Sequence, residues 1–194
     1  MTETLAQRRR RLMGPNLPTF YREPLHVVRG QGVWLWDAAG RRYLDAYNNV
    51  PHVGHGHPRV VEAVARQAAT LATHSRYLHA GILDLAERLT ATFGHGLAQM
   101  LFTCTGSEAM DVALRMAQAA TGRRGLIATD NTYHGNTAAV AQLSTRRPPI
   151  GGYPDHVRLI PAPDDLRPPG GSGAAQPEAF ADHLRAAAAE LDAA

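Results

Sequence analysis

Lysine is missing from this sequence of 194 residues: all twenty basic residues are arginine. No side chain here offers a primary amine, which excludes side-chain Schiff-base chemistry with a carbonyl compound. The α-amine of Met1 is the one alternative, and nothing around it assigns it a role. Cysteine occurs once, as Cys104, so an internal disulfide is excluded and a reducing compartment suits the chain. Placed where an apolar run gives way to a turn, Cys104 is expected to be packed rather than to act as a nucleophile. No apolar run approaches the roughly 18 residues of a transmembrane helix. The opening residues also lack the basic-then-apolar order of a secretory signal. A cytoplasmic protein with no membrane partner is the expectation. Charge of one sign is scarce as well: the formal net charge is +3. The run Arg8-Arg9-Arg10-Arg11 has no aromatic platform or second basic cluster beside it. It reads as a solvated helix end or arm, with no nucleic-acid partner. What remains, 44% hydrophobic and 19% charged residues, is the make-up of a globular chain long enough for a sizeable core.

The chain alternates between turn-rich and periodic segments. Pro15 and Pro18 lead irregularly into Phe20-Tyr21. Val27-Val28, Val33-Trp34-Leu35-Trp36 and Arg42-Tyr43-Leu44 read as antiparallel strands, separated by Gly30-Gln31-Gly32 and by Asp37-Ala38-Ala39-Gly40. The loop from Asn49 to His57 carries His52, His55 and His57. A metal is one reading of it, weakened by the lack of a nearby carboxylate or cysteine in the sequence. Pro58 suits the first turn of a helix with the apolar stripe Val60, Val61, Val64, Ala68 and Leu71. After the polar break Thr73–Tyr77, a second helix is expected to bury Ile82, Leu85, Leu89 and Phe93, and Gly94-His95-Gly96 ends it.

From residue 99 the pattern becomes that of alternating strands and helices. Gln99–Thr103 and Gly125–Thr129 are short apolar runs, His156–Ile160 is a third, and helices are predicted over 108–120 and 136–143. A mostly parallel sheet with crossover helices follows, an α/β fold preceded by the small antiparallel ribbon. Residues 161–176 are a proline- and glycine-rich loop, and Pro177-Glu178 opens a last helix through Phe180, Leu184 and Leu191. The stretch Thr105-Gly106-Ser107 lies on the turn between the run at 99 and its helix, whose packed face is expected to be Ala109, Val112, Ala113, Met116 and Ala117. Small residues and hydroxyls beside the free N–H groups of a first helical turn suit a phosphate or another anion. Ser107 acting only as an N-cap is the competing reading. The Asp130–Thr137 loop, with Tyr133 beside His134, lies at an equivalent strand end, where ligands of such sheets gather.

Five runs of residues in order carry a family pattern: Trp36-Asp37 with Gly40-Arg41-Arg42-Tyr43-Leu44-Asp45, Gly54-His55-Gly56-His57-Pro58, Arg76-Tyr77-Leu78-His79, Thr105-Gly106-Ser107-Glu108-Ala109, and Tyr133-His134-Gly135-Asn136-Thr137. From about Pro24 to Leu159 the chain resembles the N-terminal part of the class III (omega) aminotransferases, pyridoxal-phosphate enzymes of fold type I. Within them it is most similar to the alanine–glyoxylate aminotransferase-2 and ethanolamine-phosphate phospho-lyase branch.

The resemblance implies pyridoxal 5′-phosphate as cofactor. Gly106 and Ser107 would grip its phosphate, Thr105 would line the same cradle, and Tyr133 would stack on the pyridine ring with His134 beside it. The loop Tyr47–Val53 would border the substrate entrance, and Arg76 and Tyr77 would lie nearer a dimer contact. Residues 1–57 would belong to the small-domain and entrance region, and 58–194 to an incomplete PLP-binding large domain. Met110 stands where the family more often has asparagine, and Cys104-Thr105 where it has serine or asparagine-serine. Family members are much longer, and the aspartate at the pyridine nitrogen and the lysine that anchors the cofactor would lie beyond Ala194. The implied function is a fragment of an enzyme moving an amino group from an amine or amino acid to a 2-oxo acid or aldehyde, inactive alone, homodimeric at full length or joined by a complementary C-terminal chain. Two alternatives are a fragment of a phospho-lyase of the same family and a non-catalytic module for a phosphate-bearing ligand or a partner. Missing central strands would leave such a fragment poorly stable or oligomeric.

Overall fold

The computed structural model describes residues 3–47, 51–168 and 175–192. Part of the expected entrance loop (residues 48–50) and part of the 161–176 loop (residues 169–174) lie outside them. The chain divides into two compact units, Met1–Ala80 and Gly81–Ala194. Among the described residues no helix is long and apolar enough to cross a membrane.

In the first unit, helix α1 (Leu5–Met13) carries the arginine run. Its start is fixed by a reciprocal cap: the Gln7 N–H donates to Thr4 Oγ1, and the Gln7 amide oxygen accepts from the Thr4 N–H. Strands β1 (Val27–Gln31), β2 (Trp34–Asp37) and β3 (Arg42–Leu44) form the antiparallel ribbon in that order. The β2–β3 turn is held by Asp37, whose Oδ1 accepts from the N–H groups of Ala39 and Arg41. Its Oδ2 accepts from the Arg41 side chain and the Tyr43 hydroxyl. The loop that follows folds back on the ribbon. Gly32 and His55 exchange both backbone hydrogen bonds, and a Cβ on Gly54 (φ +82°) would stand 2.8 Å from the Gly32 Cα. A side chain there is excluded by contact and by backbone conformation alike. Helix α2 (Pro58–Thr70) starts on Pro58 as expected. Its apolar stripe is not buried, however: Val60, Val61, Val64 and Leu71 are all exposed.

In the second unit, α3 (Ala80–Thr90) likewise exposes Ile82, Leu85 and Leu89, and Phe93 beyond its end is exposed too. Both apolar stripes were expected to be covered, and no described element of the chain covers them. The run Gln99–Thr103 is not a strand, because nothing among the described residues pairs with it; Leu101 and Phe102 are exposed. A strand is defined by its ladder, and apolar composition cannot supply the neighbour. Helix α4 (Gly106–Thr121), strand β4 (Leu126–Thr129), the single turn α5 (Ala138–Ala141), strand β5 (Val157–Ile160) and helix α6 (Ala175–Asp192) complete the unit.

Strands β4 and β5 pair in parallel, Leu126 opposite Val157 and Thr129 opposite Ile160. Alternation of side chains sends Leu126, Ala128, Val157 and Leu159 to one face. There they pack with Leu114 of α4 and with Leu143, just past α5. Arg158, on the other face, reaches Glu190 of α6 at 2.8 Å. Both faces of the strand pair are thus met by other elements, and among the described residues the buried apolar ones lie on this pair, in or just past α5, and in α6. Leu114 stands out in α4: Ala109, Ala113 and Met116, expected to be packed, are exposed. Val112 of the expected face is half-buried, as Leu114 is.

Candidate anion and cofactor site

Helix α4 begins at the organising turn. Thr105, not Ser107, is its N-cap: Thr105 Oγ1 accepts from the Glu108 N–H at 3.1 Å. Glu108, at the third helical position, turns its carboxylate back to accept the Cys104 N–H at 2.8 Å. The two leading amides, Gly106 and Ser107, have no acceptor within the helix. Cys104 is exposed rather than packed, because the run it ends has no sheet to join.

The second loop arrives from the carboxyl end of β4. Thr132 is pinned at both its polar groups, its hydroxyl donating to the Thr129 carbonyl at 2.7 Å and its N–H to Thr145 Oγ1 at 3.2 Å. The His134 N–H donates to the hydroxyl of Ser144, which is 1% exposed. Tyr153 closes the stretch from behind by donating its hydroxyl to the Ser144 carbonyl. Braced in this way, the loop meets the turn directly. The Asn136 N–H donates to Ser107 Oγ at 3.0 Å. Gly135 (φ +145°) lies so close that a Cβ would stand 2.7 Å from Ser107 Oγ and 2.8 Å from Ser107 Cα. One residue further, Thr137 donates its hydroxyl to Asp111 Oδ1 at 3.0 Å.

Ser107 and the 133–136 loop, 26 or more residues apart in sequence, thus form one surface. Ser107 accepts from Asn136 and keeps its own proton to donate. The Gly106 and Ser107 amides sit at the positive end of a sixteen-residue helix, and a Cβ on Gly106 would meet nothing within 4 Å. Two leading amides with no acceptor among the described residues, beside a hydroxyl proton, fit a phosphate group. Tyr133 presents an exposed ring, while His134 Nε2 is buried without a partner among the described residues. The helpers Asp111, Thr132, Ser144 and Thr145 were not anticipated. Only Asp111 carried a signal, its position one helical turn after Ser107.

The histidine loop lies in the other unit. His55 Nε2 is 2.7 Å from Asp45 Oδ2, a carboxylate ten residues back in the sequence. Among the described residues no cluster of three or more His, Cys, Asp or Glu side chains is placed to hold a metal.

The family of class III aminotransferases matches residues 19–191. The chain belongs to this family. It is 42% identical over 167 residues to an alanine–glyoxylate aminotransferase 2-like protein of Drosophila melanogaster, covering 84% of this chain and 34% of that protein. It is 36% identical over 169 residues to ethanolamine-phosphate phospho-lyase homolog 1 of Caenorhabditis elegans, covering 85% and 36%. A solved phospholyase from Arthrobacter, in complex with phosphoethanolamine, superposes with a TM-score of 0.87 at 41% identity, over 98% of this chain and 45% of that one. The class III chain described here thus spans about a third of the length of these curated relatives and under half of the solved one. Its ribbon, crossover helices and parallel pair match part of a fold type I PLP domain, and pyridoxal phosphate is the cofactor expected of the family.

Proposed function

We propose that residues 1–194 form the phosphate-gripping part of a pyridoxal-phosphate-dependent class III aminotransferase. In this reading Gly106 and Ser107 hold the cofactor phosphate through their amides and the Ser107 hydroxyl. Thr105 shapes the turn by capping α4, Tyr133 lies against the pyridine ring, and His134 sits beside it. Bound there, the cofactor supplies an electron sink for chemistry at an amine-bearing carbon. The observation that carries the reading is the seating of the Tyr133–Asn136 loop on Ser107 at 3.0 Å, in a chain of this family. The full-length activity is transfer of an amino group from an amine or amino acid to a 2-oxo acid or aldehyde. A homodimer at full length, or a complementary C-terminal chain, supplies what these residues lack. With no lysine to anchor the cofactor or to move the proton of transamination, residues 1–194 alone are inactive.

A second reading is favoured by the Arthrobacter relative: a phospho-lyase, acting on a substrate that carries both an amine and a phosphate. The same grip serves either reaction, since both need the cofactor in one place.

The test uses 4′-deoxypyridoxine 5′-phosphate, which has the ring and phosphate but no aldehyde, titrated into the chain by calorimetry. Saturable binding, weakened roughly tenfold or more by Ser107→Ala, is expected, with no amino transfer when pyridoxal phosphate and an amine–oxo acid pair are supplied. Absence of binding by the wild-type chain would remove the grip, and turnover by residues 1–194 would remove the claim of inactivity.

A further inference from the structure

We infer that Asp111 is a positioning residue, which fixes the spacing between Tyr133 and the phosphate turn without touching the ligand. The inference rests on the cofactor reading above. Ser107 and Asp111 are four residues apart on α4 and so share one face. Two consecutive loop residues dock on them: the Asn136 N–H on Ser107 Oγ at 3.0 Å and the Thr137 hydroxyl on Asp111 Oδ1 at 3.0 Å. A single hydrogen bond pins a point. Two, about one helical turn apart, also fix the angle at which the loop leaves the helix. With Thr132 and His134 braced from the other side, that angle sets how the loop carrying Tyr133 stands relative to the phosphate turn.

The Thr137 hydroxyl has its proton directed toward Asp111, because its oxygen already accepts from the Val140 N–H at 3.3 Å. The other carboxylate oxygen of Asp111 is 3.4 Å from Arg115 Nε. This leaves Oδ1 for the loop. A surface pair with Arg115 is too weak a reason for the carboxylate, since Arg115 is 71% exposed. Nor does the helix dipole explain it, for that benefit is confined to the first turn, while Asp111 lies in the second. The contact to Thr137 is what remains, and it joins α4 to the segment that carries Tyr133.

Two ligands separate positioning from mere folding: inorganic phosphate, which needs only the turn, and 4′-deoxypyridoxine 5′-phosphate, which needs the turn and Tyr133 together. Dissociation constants for both are measured on the chain and on Asp111→Ala, Asp111→Asn and Thr137→Ser. Asp111→Ala is expected to leave phosphate affinity within about twofold while lowering ring-ligand affinity roughly tenfold. Asp111→Asn and Thr137→Ser, which keep the acceptor and the donor, should stay near the wild type. Equal loss of both ligands in Asp111→Ala, no loss of either, or an Asp111→Asn as impaired as the alanine variant would each overturn the assignment. Wild-type protein that binds neither ligand would overturn the cofactor reading and this inference with it. Wild-type binding with an indifferent Asp111→Ala would overturn this one alone.

Discussion

Replacing Gly135 by alanine tests the contact on which the site depends. The new Cβ would stand 2.8 Å from Ser107 Cα, 2.9 Å from its Cβ and 2.7 Å from its Oγ. Rotating the serine hydroxyl relieves only the last of these; the first involves the backbone of α4. A side chain at φ +145° costs about 1–3 kcal/mol in backbone strain, and the overlap adds about 1–3 kcal/mol. The loop should therefore lift from α4, at a total of roughly 2–6 kcal/mol if it stayed. The reporter is the Asn136 amide, whose N–H donates to Ser107 Oγ. Its hydrogen exchange, followed by NMR, should accelerate at least about 30-fold, the equivalent of about 2 kcal/mol. Gly106→Ala is the control: its Cβ meets nothing within 4 Å, so Asn136 exchange should change by no more than about threefold. Unchanged protection of Asn136 in Gly135→Ala would refute the close seating of the loop on the turn.

Thr105→Ala should cost about 1 kcal/mol of α4 stability through loss of the cap on the Glu108 amide, seen as faster exchange there, with Thr105→Ser restoring it. At Asp37, 5% exposed, burial works against the charged form, but hydrogen bonds from the Arg41 side chain, Tyr43 and the Arg41 amide prevail and hold the carboxyl at about 2. A depressed carboxyl lends stability that is full above the unfolded value of about 4 and is lost as pH falls through the folded value. Fluorescence of Trp34 and Trp36 should therefore report loosening of the ribbon turn between about pH 4 and 2, and Asp37→Asn should abolish that transition. Among the described residues the buried apolar ones are few, namely Ala128, Val140, Leu143, Val157, Ile160 and Ala187. The isolated chain should accordingly melt broadly or associate. A sharp, concentration-independent melt of a monomer would contradict this.

Much of the architecture was legible because it is written locally. Turn residues delimit the ribbon, Pro58 opens α2, and β-branched and aliphatic runs mark β4 and β5 in parallel-sheet spacing. What failed was burial. Val60, Val64, Ile82, Leu85, Leu101 and Met116 have the periodicity of packed residues yet are exposed. Periodicity reports what a face is suited to meet, and cannot report whether its partner is present. Cys104 is exposed for the same reason. At the candidate site, Thr105–Ser107 and Tyr133-His134 were visible as turn and loop composition, while their junction was not. The Ser107–Asn136 bond spans 29 residues, and no local pattern encodes such a meeting. The Asp45–His55 pair likewise joins residues whose proximity arises only after the loop folds back on Gly32.

The bond from Tyr153 to the carbonyl of Ser144 has a consequence for engineering. It staples the neck of a loop whose tip, Pro148-Pro149-Ile150-Gly151-Gly152, carries a wholly exposed Ile150, while the neck itself braces His134. Length added at the tip leaves the neck closed, and doubling such a loop costs only about 0.6 kcal/mol in closure entropy. A peptide epitope or fluorophore site could thus be grafted between Pro149 and Gly151, as a reporter on a loop whose neck also braces His134.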